Sequence, residues 1–367
     1  MMDFNFKNIC EQFKIDGEFV SAERYGEGHI NDTFLVKTSE TKYILQRVNN
    51  TVFKKPEEVM ENISKVTNFM SKQIASCGGD VERETLTIVK NINGEDYYVS
   101  KDGRLFRMYI FIDNATCYQI IENAEVFYRA ARAFGKFQKM LKDFPADELH
   151  ETIVNFHNTV DRYRILKEAI AEDKVNRLES VRAEVEFALE REKDAGIIVD
   201  ALKENRIPLR VTHNDTKLNN VMIDDKTGIG ICVIDLDTVM PGSMLYDFGD
   251  SIRFGASTAA EDELDLDKVS MDLNLFAEYA RGYLEELGDS ITEEELKLLP
   301  MSAKLMTLEC GIRFLSDYLD GDNYFKIHRE HHNLDRARTQ FKLVWDMEQK
   351  MDAMNEVIKN CQTCKSF

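Results

Sequence analysis

The sequence lacks the features that are typical of membrane-spanning, secreted and nucleic-acid-binding proteins. No stretch approaches about 18 uninterrupted apolar residues, which excludes a membrane-spanning helix. The first residues lack the basic region and long apolar core of a secretion signal, so we expect a cytoplasmic protein. Lys and Arg number 47 against 66 Asp and Glu, a formal net charge of −19, without a dense basic run. We therefore expect neither nucleic acid nor an anionic membrane as a partner.

Cysteines are also few, and their positions exclude a disulfide framework. The seven cysteines are scattered and odd in number, which is typical of reduced thiols. The one CxxC pair, Cys361 and Cys364, lies at the extreme C-terminus, and a structural zinc site usually needs a second pair. We interpret this pair as incidental, with a metal or redox site as the alternative.

The 367 residues, 43 % of them hydrophobic, suffice for about two packed units. The first hundred residues predict strands at 21–25, 33–37, 43–48, 86–90, 97–100 and 105–112, with one helix at 57–70. Asn93-Gly94 predicts a hairpin turn between the fourth and fifth of these strands. Apolar residues then recur every three or four positions over 127–141, and 159–204 and 261–349 favour helix. We predict an α+β fold with a sheet-rich lobe, 1–108, and a larger helical lobe, 109–367.

One β segment interrupts the helical half, and it carries the most informative polar residues. Short apolar runs at 208–211, 221–223 and 229–234 predict strands, and 224–228 is typical of a turn. If the chain turns near Lys226, the last two strands pair and bring Asp235 back beside residues 217–220. The sequence therefore predicts that Asp215, Asn220 and Asp235 converge.

Three converging oxygen-bearing side chains favour a bound cation, because burying them alone is costly. Mg²⁺ prefers carboxylate and carbonyl oxygens together with phosphate oxygens. His213-x-Asp215, with Asn220 five positions later, matches the H-x-D-x-x-x-x-N catalytic loop of kinases, and Asp235 follows fifteen residues on. We expect Asp215 to be the catalytic base, Asn220 and Asp235 to hold Mg²⁺, and ATP to be the co-substrate.

These motifs resemble the aminoglycoside phosphotransferase-like family of small-molecule kinases. The similarity rests on residues 213–220, 233–238, 241–242 and 246–250. Residues 28–34, 43–49 and 156–158 are similar to its N-acetylhexosamine 1-kinases. The resemblance implies a bilobal, protein-kinase-like fold with ATP in the cleft. It also implies transfer of phosphate to the anomeric hydroxyl of N-acetylglucosamine or N-acetylgalactosamine.

The N-terminal segment contributes further candidates for nucleotide and substrate binding. Gly26 and Gly28 form a fragment of the glycine-rich loop that covers phosphates in kinases, or an ordinary turn. His29, Asn31 and Asp32 follow them and are candidates for contacting sugar hydroxyls. The alternative for Asn31 and Asp32 is that they cap the turn.

The third-strand lysine of kinases is absent, and Gln46-Arg47 stand in its place. Strand alternation sends these two side chains to opposite faces, so only one of them enters the cleft. Arg47 in the cleft would contact phosphate and pair with an acid such as Glu58 or Glu61. Gln46 in the cleft would leave more of the charge to Mg²⁺.

The place of several other residues in the chain predicts a role for them. Met108, Tyr109 and Ile110 are expected to form a hinge that offers backbone groups to adenine. Asp247 and Asp250 are expected to order the catalytic loop, and Asp237 is either a metal ligand or a residue that supports one. By resemblance to the hexosamine kinases, Arg313 and Tyr324 are expected to contact the sugar.

Two other functions compete with a hexosamine kinase. One is another small-molecule kinase on the same scaffold, with an aminoglycoside, choline or homoserine as its substrate. An aminoglycoside kinase would surround its cationic substrate with carboxylates, whereas a hexosamine kinase would have a neutral pocket that contains Arg313. The other is a nucleotide-binding protein without turnover, which the missing lysine favours and the intact Asp215 opposes.

Overall fold

The computed structural model describes residues 4–26, 30–121 and 123–363. Its strands are β1 Phe19–Arg24, β2 Asp32–Thr38, β3 Lys42–Arg47, β4 Tyr98–Val99, β5 Leu105–Ile110, β6 Ala115–Thr116, β7 Arg210–Thr212, β8 Val221–Asp224, β9 Gly230–Val233 and β10 Met240–Gly242. Its helices are α1 Phe6–Cys10, α2 Pro56–Ser76, α3 Val81–Glu84, α4 Ala124–Met140, α5 Thr159–Glu172, α6 Arg182–Leu189, α7 Ile197–Lys203, α8 Met244–Gly255, α9 Leu273–Leu287, α10 Glu293–Asp320 and α11 His332–Thr363.

The N-terminal strands form one antiparallel sheet in the order β1-β2-β3-β5-β4. Alternate residues on β2, β3 and β5, such as Val36, Leu45 and Met108, are fully buried and share one apolar core with Cys10. This alternation gives the sheet a core face and a second face that can carry polar groups. The predicted strands at 21–25, 33–37, 43–48 and 105–112 are confirmed, with ends shifted by a few residues.

The predicted hairpin around Asn93-Gly94 is wrong. Residues 86–90 make only an isolated bridge, Ile88 to Tyr109, and β4 pairs with β5 instead. The turn itself exists, because the buried Asn91 side chain accepts hydrogen bonds from two backbone N–H groups of this loop. Such local capping holds a turn without requiring the flanking segments to pair with each other.

The chain divides into two compact units, and the first unit consists of three segments that are separate in the sequence. They are Met1–Cys117, Asp143–Ile153 and Val221–Pro241. Asn62, buried on α2, shows why: its Nδ2 donates to the carbonyls of His150 and Val239, at 2.8 and 3.0 Å. Helix α2 begins with Pro56 in its first turn, as predicted, and runs further than expected, to Ser76. The lobe boundary after residue 108 stays a prediction.

The second unit, Tyr118–Lys142, Val154–Asn220 and Gly242–Phe367, is mainly helical. The predicted stripe on α4 is confirmed, since Phe127, Phe134 and Phe137 are buried. The region 159–204 is broken into three helices, because Asp173 ends α5 in a left-handed conformation, φ 36°. In the described part of the chain, no helix combines the length and apolar character needed to cross a bilayer.

The predicted fold class is confirmed: an antiparallel five-stranded sheet with a helix precedes a mainly helical part. The β segment inside the helical half is confirmed as well, as β7, β8 and β9.

Candidate active site

The loop predicted to carry the catalytic residues follows β7 and ends in the 3₁₀ turn Leu218–Asn220. His213 is fully buried, and its ring packs edge-on against Phe134 and Phe137, with centroids 5.7 and 5.9 Å away. The Nδ1 atom of His213 accepts a hydrogen bond from the backbone N–H of Asp215, at 3.3 Å. His213 therefore positions the start of the loop through packing and one hydrogen bond.

Asp247, buried in the first turn of α8, fixes the backbone of this loop. Its two carboxylate oxygens accept hydrogen bonds from the N–H groups of His213 and Asn214, at 3.0 and 2.8 Å. Gln138 donates a third hydrogen bond, at 2.8 Å. Burial raises the pKa of Asp247, against the opposing effects of His213 and these donors. The ordering role predicted for Asp247 is confirmed.

Asp215 is a half-buried carboxylate in the middle of the loop. Asn220 Nδ2 donates to the Asp215 carbonyl, at 2.8 Å, and to its carboxylate Oδ2, at 3.0 Å. The structure thus brings two predicted site residues into contact. Because the nitrogen of Asn220 is engaged in this way, its amide oxygen is the atom left for a cation.

Lys217 is a functional candidate that the sequence analysis missed. Its Nζ lies 2.8 Å from Asp215 Oδ1. Burial lowers the pKa of Lys217, but the Asp215 carboxylate outweighs burial and raises the pKa overall. The Asp-x-Lys spacing of residues 215 and 217 is the sequence signal that could have identified it. A cation here can offer positive charge to an anionic ligand beside Asp215.

Asp250 has a different partner from the one expected. Instead of a backbone group of the loop, its Oδ1 accepts a hydrogen bond from Arg253 Nε, at 2.9 Å. Burial favours the neutral acid, but Arg253 and Lys217 outweigh it and lower the pKa of Asp250. Asp250 is therefore a buried anion that supports α8 and faces the cation of the loop.

Asp235, the other predicted metal ligand, follows the hairpin formed by β8 and β9. The predicted hairpin is confirmed, with Val221 opposite Val233. Asp235 adopts a left-handed conformation, φ 59°, and begins the 3₁₀ turn Leu236–Thr238. Non-glycine residues pay a conformational cost there, and such conformations concentrate at functional sites. The convergence of Asp235 with the catalytic loop stays a prediction.

A buried polar network surrounds Asp237. Arg107, 1 % exposed, forms an ion pair with Asp237, and its Nε donates to Gln46 Oε1 at 2.9 Å. Asn31 Nδ2 donates to the second Asp237 oxygen at 2.5 Å, and Asn31 Oδ1 accepts from the Asn49 N–H at 3.0 Å. Asn31, a predicted substrate contact, is thus part of this network. Among the described residues, the buried cation of the network is Arg107, which the sequence analysis did not name.

Arg47 lies on the other face of β3 from Gln46. Its Nε donates to Asp32 at 2.7 Å, and its Nη2 lies 2.6 Å from the same carboxylate oxygen. The acid partner of Arg47 is therefore Asp32, whereas Glu58 and Glu61 pair with neighbouring lysines. Nucleotide binding by Arg47 and substrate binding by Asp32 stay predictions.

The glycine-rich segment is described only in part. Gly26 follows β1 with φ 72°, a left-handed conformation that glycine adopts without cost. Gly28 and His29 lie outside the described residues. Phosphate cover by the two glycines and sugar contact by His29 stay predictions.

The predicted hinge forms the end of β5. The Met108 carbonyl accepts a hydrogen bond from the Val89 N–H at 2.8 Å, and the Ile110 N–H donates to Thr87 at 3.0 Å. Burial raises the pKa of Tyr109, so this hydroxyl stays neutral. Because these backbone groups serve the sheet, adenine recognition by residues 108–110 stays a prediction.

Arg313 and Tyr324, the predicted sugar contacts, line one cavity of about 410 Å³ in the second unit. The Arg313 guanidinium lies 5.5, 5.9 and 5.4 Å from the ring centroids of Phe156, Tyr324 and Phe325. Tyr324 is 70 % exposed, so one face of its ring is open to a ligand. The cavity has the size of a small-molecule site and combines a planar cation with aromatic rings.

A second arginine, Arg162, lines the same cavity. Its Nη2 donates to the Phe156 carbonyl at 2.6 Å, and its Nε is buried without a hydrogen-bond partner in the described structure. Burial lowers the pKa of Arg162, and the charge of Arg313 lowers it further. Neither arginine forms an ion pair with an acid of the described chain, so both retain donors for a ligand.

Asp317 holds the loop that carries Tyr324. Its carboxylate accepts hydrogen bonds from the backbone N–H groups of Asn323, Tyr324 and Phe325, at 2.9, 2.8 and 2.9 Å. Asn333 Nδ2 adds a fourth, at 2.9 Å. The sequence analysis did not identify Asp317, because no short motif marks this kind of support.

Near the two arginines, Glu309 is a fully buried anion. It accepts hydrogen bonds from Thr159 Oγ1 at 2.7 Å and bonds His157 Nδ1 at 2.8 Å. Burial favours the neutral form, but His157, followed by Arg162 and Arg313, outweighs burial and lowers the pKa of Glu309. Glu309 therefore contributes a permanent negative charge close to the cavity.

The donor set suits Mg²⁺ better than a metal held by the protein alone. Among the described residues, no group of three or more His, Cys, Asp and Glu side chains is arranged to hold a metal. Mg²⁺ typically takes one or two protein ligands and completes its shell with phosphate and water oxygens. The amide oxygen of Asn220 and a carboxylate such as Asp235 fit that requirement.

Comparisons with known proteins bear on the family and the fold of the chain. The family model described as "Phosphotransferase enzyme family" matches residues 21–284. The aminoglycoside phosphotransferase of Alicyclobacillus acidocaldarius is similar in structure, with a TM-score of 0.64 at 12 % identity over 98 % of each chain. A spectinomycin phosphotransferase in complex with ADP and spectinomycin gives 0.58 at 11 % identity, over 94 % of this chain and 98 % of that one.

An amicoumacin kinase in complex with AMP-PNP and Ca²⁺ gives a TM-score of 0.54 at 13 % identity, over 88 % of this chain and 87 % of that one. At these identities the structural likeness establishes the fold, whereas the family model covers more than half of the chain. The chain belongs to the phosphotransferase enzyme family and is a small-molecule phosphotransferase.

Proposed function

We propose that the protein is an ATP- and Mg²⁺-dependent sugar 1-kinase. Its substrate would be N-acetylglucosamine or N-acetylgalactosamine, and its product the N-acetylhexosamine 1-phosphate. The observation that supports this substrate class is that Arg162 and Arg313, which line the cavity with Tyr324, have no acid partner among the described residues. The motifs at 28–34, 43–49 and 156–158, which resemble N-acetylhexosamine kinases, point the same way.

The acids that line this cavity are already engaged with other groups of the protein. Asp317 accepts four hydrogen bonds. Glu172 and Asp320 both pair with Lys174, and Glu168 pairs with a neighbouring arginine. Arg162 and Arg313 are the lining cations without an ion-pair partner among the described residues, and they would repel an ammonium group placed beside them. Hydroxyl and acyl carbonyl oxygens, in contrast, accept hydrogen bonds from guanidinium groups.

In the proposed reaction Asp215 accepts the proton of the C1 hydroxyl as the sugar oxygen attacks the γ-phosphorus of ATP. The new bond joins O1 to phosphorus, the bond from phosphorus to the β,γ-bridging oxygen breaks, and ADP leaves. Lys217, whose Nζ lies 2.8 Å from Asp215 Oδ1, would stabilise negative charge on the transferred group. His29, Asn31 and Asp32 would contribute further sugar contacts.

The proposal assigns the nucleotide and its metal to the remaining predicted residues. Asn220 and Asp235 would hold Mg²⁺, which neutralises the triphosphate when bound. Gly26 and Gly28 would cover the phosphates, and Arg47 would contact them if its face of β3, rather than the face of Gln46, forms the cleft. The backbone of residues 108–110 would receive adenine.

The test is release of ADP from ATP and Mg²⁺ with a panel of acceptors. We expect turnover with N-acetylglucosamine or N-acetylgalactosamine and none with an aminoglycoside, choline or homoserine. The matched acceptor is the methyl glycoside of the active sugar, which keeps every hydroxyl except the anomeric one. We expect that the methyl glycoside is not phosphorylated and that the product of the free sugar has no reducing end. Turnover of the methyl glycoside would contradict transfer to C1.

The panel also decides between the alternatives. ADP release that depends on an aminoglycoside, choline or homoserine would favour another kinase of the same scaffold. Absence of turnover with every acceptor, together with tight binding of Mg²⁺ and ADP, would favour a nucleotide-binding protein without catalysis.

A further inference from the structure

Gln46 and Arg47 stand where protein kinases carry the third-strand lysine, and Gln46 does not stand alone on its face of the sheet. Its cross-strand partner on β5 is Arg107. The Arg107 Nε donates to Gln46 Oε1 at 2.9 Å, and Gln46 Nε2 donates to Thr33 Oγ1 at 3.0 Å. The polar face of the sheet therefore does hold a buried cation, displaced by one strand from the expected position.

Arg107 is directed at the turn that follows β9. It is 1 % exposed and forms an ion pair with Asp237, which is 4 % exposed. Burial lowers the pKa of Arg107, but Asp237, Tyr109 and Asp235 outweigh burial and raise it, so the side chain stays charged. A buried ion pair seldom stabilises a fold more than apolar side chains of the same size would. Its presence here calls for a role beyond packing.

The network connects two parts of the proposed site. Asp237 lies in the 3₁₀ turn that Asp235 begins in a left-handed conformation. The second oxygen of Asp237 accepts the hydrogen bond of Asn31, which is the residue before β2. Holding Asp237 therefore holds both the backbone that orients Asp235 and a predicted sugar contact.

We infer that Arg107 is a positioning residue that takes the place of the missing third-strand lysine: through Asp237 it orients Asp235 for Mg²⁺ and the nucleotide phosphates. This inference rests on the proposed function only for the metal role of Asp235, and it does not depend on which sugar is the substrate. Outer partners that fix a metal ligand usually change metal affinity about 10- to 100-fold when they are removed.

The test is binding of ADP to the full chain by calorimetry, with and without Mg²⁺. The wild type is expected to bind ADP more tightly with Mg²⁺, and Arg107→Met to lose about 10- to 100-fold of that advantage while binding ADP alone as before. Arg107→Lys is expected to restore part of it, because a lysine keeps the charge. The matched control is Arg191→Met, which removes a partly buried arginine paired with Glu348 at 2.8 Å in the helical unit.

Arg191→Met is expected to lower the melting temperature and leave the Mg²⁺ advantage unchanged. Equal loss of the advantage in both variants would overturn the inference, because general destabilisation would then explain it. Wild-type behaviour of Arg107→Met would also overturn it and reduce the ion pair to a packing element. If Arg107→Met does not fold, the double variant with Asp237→Leu, which leaves no stranded carboxylate, has to show the same loss, and a normal Mg²⁺ advantage there would refute the inference.

The outcome is separable from the substrate proposal. A wild type that gains ADP affinity from Mg²⁺ but phosphorylates no N-acetylhexosamine would reject the proposed substrate and leave the role of Arg107 measurable. A wild type without any Mg²⁺ advantage would reject the metal role of Asp235 and the inference together.

Discussion

Two loops of the helical unit are built in the same way and differ in what they carry. Asp247 accepts two backbone N–H groups of the loop that presents Asp215. Asp317 accepts three backbone N–H groups of the loop that presents Tyr324. In each case a buried carboxylate replaces the regular secondary structure that the loop lacks, since backbone donors must find acceptors.

The difference lies in exposure and chemistry. The Asp247 loop is buried around His213 and Asn214 and offers a carboxylate with a paired lysine. The Asp317 loop offers an aromatic ring that is 70 % exposed above two arginines. We interpret the first as the loop that performs the chemical step and the second as the loop that selects the acceptor. Rate effects should therefore follow changes at the first loop, and acceptor KM should follow changes at the second.

The largest effect is expected for Asp215→Asn. The amide keeps the size of the carboxylate but accepts no proton, so kcat should fall by about 10²- to 10⁴-fold. Binding of ADP and Mg²⁺, measured by calorimetry, should stay within about threefold of wild type, since the substitution leaves the metal ligands in place. Near-normal turnover would show that Asp215 is not the base.

Asp247→Asn tests the support of the first loop. An amide nitrogen in place of one carboxylate oxygen would face a backbone donor and leave it unpaired, at a cost of about 1–3 kcal/mol. We expect kcat to fall by about 10-fold or more, with the acceptor KM little changed, because the base is misplaced rather than removed. A rise in KM at constant kcat would instead make Asp247 part of acceptor binding.

Asp317→Asn is the same substitution in the second loop and serves as its matched control. It should raise the KM for the sugar by about 10-fold, which corresponds to about 1.4 kcal/mol of binding, and leave kcat within about twofold. The KM for ATP should not change. A fall in kcat as large as that of Asp247→Asn would erase the proposed division between the loops.

The sequence was most informative where the chemistry is encoded locally. The kinase spacing identified Asp215 and Asn220, which are in contact, and the apolar runs predicted the β8–β9 hairpin. Arg107 was missed because its partners Gln46 and Asp237 are distant in the chain. Asp317 was missed because a carboxylate that accepts N–H groups of residues 323–325 has no recognisable spacing motif. The false hairpin at 86–100 arose because Asn91 supplies the turn with local hydrogen bonds.

Tyr324→Leu examines the ring in the second loop. Leucine keeps apolar area but loses the flat face that packs on a sugar, so the sugar KM should rise by about three- to tenfold. Tyr324→Phe should stay within about twofold of wild type if the ring face rather than the hydroxyl makes the contact. Equal effects of the two variants in steady-state kinetics would assign the interaction to the hydroxyl.

The smallest effect concerns stability at low pH near the second loop. The folded-state pKa of Glu309 is lowered by His157 against burial, so ionised Glu309 stabilises the fold above its unfolded pKa of about 4.3. That contribution is lost as the pH falls through the still lower folded-state value. Glu309→Gln should therefore reduce the melting temperature at pH 7, and the difference from wild type should shrink as the pH is lowered below about 4. A difference in melting temperature that stays the same at every pH would show that the ionisation of Glu309 does not contribute to stability.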